Sequence, residues 1–209
     1  IWLARRDAPD EARALTRDRG RGITSHFWCY MAGRIVFVQD TGGDENWHVH
    51  MLDVASGLVQ DVTPFEGVQA HLHSASPAVP GHILVTHNKR DRRFGDLYRL
   101  DLSTGKLDLV MENPGFAHIL CDASLQPRVA VVPHQDGGMR IVRNDLTGSW
   151  SPIASFTPSE TSASNPIGVT ADGSALLLSD SRGRNTAALV RMSLADGQCE
   201  LLATNPRAD

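Results

Sequence analysis

The chain contains few cysteines and no long apolar run. Its three cysteines, Cys29, Cys121 and Cys199, are far apart and odd in number, which predicts isolated, buried, reduced thiols rather than a disulfide framework. No stretch approaches the roughly 20 apolar residues that a membrane-spanning helix needs, and the first residues lack the order of a secretory signal. We therefore expect a cytoplasmic protein with no membrane partner.

The charge pattern of a nucleic-acid-binding protein is also missing. The formal net charge at pH 7 is −4, and the 20 lysines and arginines are spread along the chain with no basic run beside aromatic residues. Binding to nucleic-acid phosphates depends on clustered basic side chains, so nucleic acid is not an expected partner.

Common catalytic and cofactor motifs are absent as well. The sequence has no Gly-x-Ser-x-Gly nucleophile elbow, no Gly-x-Gly-x-x-Gly string opening a helix and no Walker-type loop. We therefore assign no catalytic residue and no cofactor to the chain. Whether the chain belongs to an enzyme is left open by these absences.

Two pairs of histidines have the spacing of a metal-binding pair. His48 and His50, like His71 and His73, are separated by one residue, which places both rings on the same face of a strand. No nearby group of Cys, Asp or Glu completes a ligand set with comparable geometry. We therefore expect ordinary packing or surface histidines and no metal.

The sequence does contain a repeat of strand-like segments. Turn glycines stand at Gly57, Gly105, Gly148 and Gly197, so successive turns are 48, 43 and 49 residues apart. Each copy has four short strand-like segments and closes with Thr-Pro or Asn-Pro. A repeat of 40–50 residues that carries only strand signals is typical of β-propeller blades.

The chemistry of each copy favours antiparallel four-stranded blades. Residues 97–102 alternate in side-chain character as a strand does, and the turn glycines can adopt the positive φ of a tight hairpin. The closing proline suits an outer strand, because proline lacks an amide for the ladder. A β-sandwich of hairpins is the alternative, but four copies in one register favour the propeller.

The predicted domain organisation is a single all-β propeller domain with an incomplete ring. Residues 1–22 would form the end of a preceding blade, and four blades would span 23–66, 67–115, 116–160 and 161–209. The chain starts with Ile1 rather than Met and with a strand-like segment, so we expect a fragment. An open ring leaves unpaired strand edges, which predicts an edge-mediated dimer.

The most distinctive local motif is the run Gly-Gly-Asp-Glu-Asn at 42–46, between the second and third strands of the first full blade. Asp44 and Glu45 would concentrate negative charge at one lip of the disc, and the adjacent Asn46 is a further candidate contact residue. They could meet a cationic group, such as a substrate amine or an arginine of another domain. Alternatively, they could pair with arginines of the same propeller and accept backbone amides of the loop, as exposed carboxylates commonly do.

Two later loops, at 88–95 and 180–185, supply arginines instead. Arg92 and Arg93 lie in the first of these loops, and Arg182 and Arg184 lie in the second. Their guanidinium groups suit salt bridges between blades or to carboxylates of a docked domain. For any single arginine, a solvated loop position is the simpler interpretation.

Several strings together resemble a known family. They are Arg17–Ile23, residues 39–48, the Asp-Val-Thr-Pro-Phe run at 61–65, residues 113–116 and residues 180–184. The chain resembles the N-terminal propeller of prolyl oligopeptidase-family serine peptidases, which include dipeptidyl aminopeptidases and acylaminoacyl peptidases. The resemblance covers essentially the whole chain, and the Gly-Gly-Asp-Glu-Asn motif is its most specific part.

The resemblance implies a partner domain and a role. Family propellers usually have seven or eight blades and cover a C-terminal α/β-hydrolase domain with a Ser, Asp and His triad, to which they admit small peptides. In some relatives an acidic pair of the propeller binds the amino terminus of the substrate, which would be the role of Asp44 and Glu45. We thus expect a non-catalytic module that gates and filters peptide access to a peptidase domain absent from this chain. A stand-alone propeller that binds a protein or small ligand is the alternative.

Overall fold

The computed structural model describes residues 1–20 and 22–207. Arg21, in one of the strings that carry the resemblance, and residues 208 and 209, at the end of the last predicted blade, lie outside the described residues. The described part is almost entirely β-structure, with one short helix. It divides into two compact units, Ile1–Asn113 and Pro114–Asp209.

The first unit contains one two-stranded sheet and two four-stranded sheets. The two-stranded sheet joins β1 (Trp2–Arg5) to β2 (Ala8–Ala14). The next sheet consists of β3 (Ser25–Trp28), β4 (Arg34–Gln39), β5 (His48–Asp53) and β6 (Val59–Asp61). The third consists of β7 (Ala70–Ala75), β8 (His82–Asp91), β9 (Phe94–Asp101) and β10 (Leu107–Met111).

The second unit contains two four-stranded sheets and the helix. The first of these sheets consists of β11 (His118–Cys121), β12 (Pro127–Pro133), β13 (Met139–Asn144) and β14 (Trp150–Phe156). Helix α1 (Pro158–Thr161) follows it. The last sheet consists of β15 (Asn165–Val169), β16 (Ala175–Asp180), β17 (Ala188–Ser193) and β18 (Cys199–Thr204).

Every four-stranded sheet is an antiparallel meander, in which strands that follow each other in the chain are hydrogen-bonded neighbours. The prediction of blades with four antiparallel strands is therefore confirmed. The sandwich alternative is wrong, because the strands form separate small sheets rather than two large ones. Loops that join second to third strands leave each sheet at the same edge as the connection to the next sheet, because a meander reverses direction at every turn.

The hairpin between the third and fourth strand of each sheet uses the predicted glycine. Gly57, Gly105, Gly148 and Gly197 have φ values of 72°, 75°, 103° and 74°. In the first two of these turns, the glycine amide donates a 2.8 Å hydrogen bond to the carbonyl of the last residue of the preceding strand. The sequence prediction of positive φ at these turns is confirmed.

Apolar side chains between neighbouring sheets form the core of each unit. In the first unit, Val36 and Val49 of one sheet share a buried cluster with Ile83 and Leu100 of the next. In the second unit, Ile141 and Leu176 belong to one buried cluster in the same way. Complete burial of each such side chain contributes about 1.5–3 kcal/mol, so the sheets are held as rigid plates.

The cysteine prediction is correct in part. All three cysteines are free thiols, but only Cys29 is buried, whereas Cys121 is half-buried and Cys199 is exposed. Cys199 is exposed because it begins β18, the outermost strand of its sheet, in which all six residues are exposed. Among the described residues, no helix is long and apolar enough to cross a membrane.

Candidate functional site

The Gly-Gly-Asp-Glu-Asn loop connects β4 to β5 and is organised by the side chain of Asp44. Its carboxylate accepts the Thr41 amide at 3.3 Å and the amide and side-chain Nδ2 of Asn46, each at 3.1 Å. The hydrogen bonds from Asn46 hold the pKa of Asp44 below its usual value. Asp44 therefore serves the loop itself, in agreement with the structural interpretation of this residue.

Glu45 is placed differently from Asp44. Its φ is +57°, in the left-handed region that costs a non-glycine residue about 1–2 kcal/mol. The backbone is held in this conformation from both sides, since the Glu45 amide donates to buried Asp40 at 3.2 Å and its carbonyl accepts Gln69 Nε2 at 3.2 Å. Among the described residues, the exposed Glu45 carboxylate has no hydrogen-bond partner, so the loop presents this charge to solvent.

Gln69 also connects this loop to the β8–β9 hairpin of the next sheet. The Gln69 amide donates to Asn88 Oδ1 at 2.8 Å, and Asn88 Nδ2 donates to the Arg92 carbonyl at 3.1 Å. The Arg92 guanidinium donates to the Gly67 carbonyl. Glu45, Asn46 and Arg92 are thus brought to one edge of the first unit. Gln69 and Asn88 were not singled out from the sequence, because no motif marks a lone amide side chain.

The arginine-rich segment at 88–95 is not the loop that the sequence predicted. It is a tight hairpin, because β8 runs to Asp91 and β9 begins at Phe94. Arg93 pairs within the hairpin with Asp91 at 2.8 Å and has 75% of its side chain exposed. The hydrogen bonds from Arg93 lower the pKa of Asp91 to about 2.

An ion pair with one buried partner, Asp96, lies at the base of this hairpin. Arg90 forms a fork with Asp96 through bonds of 2.9 and 2.6 Å, and it also donates to the Asn113 carbonyl at 2.9 Å. The Asp96 side chain is 1% exposed. Burial alone would raise the pKa of Asp96, but hydrogen bonds from Arg90 and the Asn113 amide hold it below its usual value. Arg90 thereby closes the base of the hairpin.

In the second unit, Arg182 and Arg184 have different surroundings. Arg182 forms a fork with buried Asp180 at 3.0 and 2.7 Å, and its guanidinium stacks on the Phe156 ring at 4.6 Å. Burial alone would raise the pKa of Asp180, but the hydrogen bonds and charge of Arg182 hold it below its usual value. Arg184 is exposed, and its side chain has no hydrogen bond within the part of the chain that the structure describes.

The histidine pairs serve packing and local hydrogen bonding. His48 and His50 share a face with ring centroids 6.4 Å apart, as predicted. His48 Nδ1 is 2.6 Å from an Asp61 carboxylate oxygen, and His50 stacks on Phe37 at 5.0 Å. At His73, between Leu72 and Ser74, an irregularity in the β7–β8 register interrupts the strand alternation. Within residues 1–20 and 22–207, no three His, Cys, Asp or Glu side chains are grouped so as to hold a metal ion.

Comparison with known proteins gives one strong sequence relative. No family model matches the chain. The chain is 37% identical over 210 residues to dipeptidyl aminopeptidase BIII of Pseudoxanthomonas mexicana, a match that covers 100% of this chain and 30% of that protein. The chain therefore spans about a third of the length of this relative.

Solved structures share the fold at much lower identity. Oligopeptidase B from Leishmania major matches 97% of this chain and 30% of its own chain, with a TM-score of 0.61 and 12% identity. TolB from Acinetobacter baumannii matches 94% of this chain and 47% of its own chain, with a TM-score of 0.54 and 18% identity. These likenesses show a common blade architecture. The fold is thus that of β-propeller blades, and the sequence match along the whole of this chain identifies it as a segment of a prolyl oligopeptidase-family protein.

Proposed function

We propose that this chain is a non-catalytic module that gates and filters peptide access to a serine peptidase domain of the same full-length protein. The observation that carries the proposal is the 37% identity to dipeptidyl aminopeptidase BIII along the whole chain. The chain has no nucleophile elbow of its own, so the hydrolase domain would supply the catalytic groups.

The mechanism is steric exclusion by a rigid frame with short loops at its edge. The antiparallel ladders and the buried apolar cores keep each sheet fixed, while the loops at 40–47, 62–69 and 92–93 lie at one edge of the first unit. These loops are joined to each other by Gln69 and Asn88. An opening lined by such tied loops would admit short flexible peptides and exclude folded chains.

The gating role is tested by the dependence of hydrolysis on peptide length in the full-length protein. We expect short peptides to be cleaved and long peptides and folded proteins to be spared. Replacing residues 42–46 with a two-residue turn should shift the cut-off to longer peptides, because it shortens a loop of the opening. The matched control shortens the turn at 55–57, at the opposite edge of the same sheet, and should leave the cut-off unchanged.

Two results would count against gating. Equal cleavage of short and long peptides by the native protein would show that the module does not select peptides by length. Absence of any peptidase activity in the full-length protein would favour the stand-alone binding propeller instead.

Within this proposal, Glu45 is the better candidate than Asp44 for binding the amino terminus of a substrate. The Asp44 carboxylate is used by its own loop, whereas the Glu45 carboxylate is presented to solvent by a clamped backbone. An exposed charge pair is worth about 0.2–1 kcal/mol, which corresponds to a change in KM of up to about fivefold.

We therefore expect Glu45→Gln to raise KM for peptides with a free amine by about two- to fivefold, and to leave amine-blocked peptides unchanged. Steady-state kinetics on paired free and acetylated peptides measure the difference. Asp44→Asn is the comparison variant, and it should affect both substrates alike because it loosens the loop. Unchanged KM values for both peptides in a variant without either carboxylate would exclude amine binding here.

Arg93 and Arg184 are the arginines best placed to contact the hydrolase domain. Arg93 is 75% exposed although it pairs with Asp91, and Arg184 is exposed. Arg92 and Arg182 are engaged within their own units, by the Gly67 carbonyl and by Asp180.

The three free thiols are consistent with a reducing compartment and support the proposed cytoplasmic location.

A further inference from the structure

A small cavity opens in the first unit between the starts of the innermost strands β3 and β7. It has a volume of about 230 Å³ and is lined by Thr24, Ser25, Val38, Trp47, His71 and Leu72. Both strands start at the edge that carries the Glu45 loop. Trp47 ends that loop, and its carbonyl accepts the Ala70 amide at 2.7 Å. This contact fixes the position of the cavity at the edge that carries the Glu45 loop.

The cavity has an apolar floor and an uncharged polar rim. Val38 is 4% exposed, and Val38, Trp47 and Leu72 all belong to the apolar cluster between the two sheets. Thr24 and Ser25 contribute hydroxyl groups at the rim. His71 completes the wall, and partial burial of its ring lowers its pKa, so that the neutral imidazole faces the cavity at neutral pH. Among residues 1–20 and 22–207, no Asp, Glu, Lys or Arg side chain lines it.

The size of the cavity limits what it can hold. Sites for whole drug-sized ligands have volumes of about 300–1,000 Å³, which is larger than this cavity. At about 30 Å³ per water molecule, the cavity has room for roughly seven waters, which is the scale of a single large side chain. A charged side chain would lose its hydration without finding a counter-charge on these walls, so an apolar side chain is favoured.

We propose that this cavity binds one uncharged apolar side chain of the peptide that the module admits. This inference rests on the proposed gating function and adds a preference for peptides with an apolar residue. In this proposal the peptide backbone runs along the unpaired edge of β3, beside the exposed hydroxyl of Ser25. Burial of an apolar side chain against the apolar floor stabilises the bound peptide, whereas glycine has no side chain to bury there.

The test fills the cavity from its rim in the full-length protein. Ser25→Leu places an aliphatic side chain in the opening without enlarging the core, because Ser25 is exposed. The substrates are short peptides that vary between Gly, Leu, Phe, Asp and Lys at one position at a time, together with a small activated ester. We expect kcat/KM for the Leu and Phe peptides to fall about tenfold through KM, equivalent to about 1.4 kcal/mol. The glycine peptides and the ester should be unaffected.

Two further variants make the result specific. Ser155→Leu changes an exposed strand serine of the second unit and is the matched control, for which no change is expected. Ser25→Asp places a carboxylate at the rim and should raise the ratio of kcat/KM for the lysine peptide to that for the leucine peptide. This variant keeps the proposal testable if Ser25→Leu does not fold.

The outcomes separate this inference from the gating proposal. An equal loss on all substrates, the ester included, would overturn it, because the cavity would then hold a side chain of the hydrolase domain. An unchanged preference for Leu and Phe peptides over Gly peptides in both Ser25 variants would also overturn this inference. Such a result would not contradict the length cut-off of the gating proposal. A native protein that hydrolyses neither peptides nor the ester would refute the gating proposal itself.

Discussion

His87 shows how one residue can couple the fold to pH. It lies on β8 with 3% of its surface exposed, its ring stacked on Tyr98 at 3.9 Å and in edge contact with Phe65 at 5.1 Å. Burial lowers the pKa of His87, the Lys89 charge lowers it further, and the Asp96 carboxylate opposes the shift. At pH values between the folded pKa and about 6.5, the imidazole of His87 is therefore neutral in the folded protein and protonated in the unfolded chain.

This difference makes stability fall as the solution is acidified. A histidine whose folded pKa is depressed contributes stability that is present above its unfolded pKa of about 6.5, and that is lost as pH falls from there toward the folded pKa. The slope from one proton is at most about 1.4 kcal/mol per pH unit. We expect His87→Leu to flatten the slope between pH 6.5 and 5, as measured by urea unfolding at several pH values. The control is His26→Leu at an exposed histidine, which should leave the slope unchanged. An unchanged slope in His87→Leu would contradict the assignment of this pH dependence to His87.

At the same scale, the sequence predicts which residues form the acidic loop but not how they divide their roles. Adjacent carboxylates look alike in the sequence, and both were assigned to the lip. Their difference arises from the backbone, because the left-handed conformation at Glu45 turns its side chain outward while Asp44 folds back onto Asn46. Partners such as Asp40 and Gln69, which hold that conformation, come from outside the motif.

At the scale of the elements, two hairpin glycines differ in how much space surrounds them, so that the cost of backbone strain can be measured apart from the cost of steric overlap. A Cβ atom at Gly57 would have no heavy atom within 4 Å, whereas at Gly197 it would lie 3.1 Å from the carbonyl oxygen of Ile153. Both glycines have a φ near +73°, so the conformational cost for alanine is the same.

We expect Gly57→Ala to lower the free energy of unfolding by about 1 kcal/mol, from the left-handed backbone alone. Gly197→Ala should cost more, because the fixed carbonyl of Ile153 must also move. Urea unfolding of the two variants beside the native chain measures both values. Equal losses of unfolding free energy in the two variants would show that the Ile153 carbonyl of β14 moves away at no measurable cost.

The repeat predicts the elements well where local chemistry decides them. Turn glycines, alternating strands and closing prolines are local features, and they correctly place four strands in each sheet. Residues 88–95 were expected to form a loop because they are equivalent to the loop between the second and third strands of the preceding blade. The strands extend through this segment to the pair Asp91 and Phe94, with an irregularity in the register after His87. Arg90 stabilises the segment by reaching Asp96 and the carbonyl of Asn113, which are 6 and 23 residues away in the chain. Helix α1 was not expected either, since its four residues depend on Glu160 accepting the Thr157 amide.

At the scale of the whole chain, the last strand offers an edge at which a strand of another copy can pair. Strand β18 is the outer strand of its sheet, and its six residues are all exposed. Leu201 and Leu202 are 50% and 45% exposed, and neighbouring residues of a strand point to opposite faces. An exposed edge with apolar side chains on both faces favours pairing with another strand.

We therefore expect the isolated 209-residue chain to form a concentration-dependent dimer through β18. Leu202→Lys should shift the equilibrium to the monomer, because a charge on an edge strand must be desolvated when a second strand pairs with it. Sedimentation velocity over a range of concentrations measures both proteins. Leu58→Lys is the control, since Leu58 is 68% exposed but precedes the outer strand of a different sheet and lies outside β18. If the native chain sediments as a monomer at every concentration, pairing through β18 is too weak to matter and its exposed leucines need another explanation.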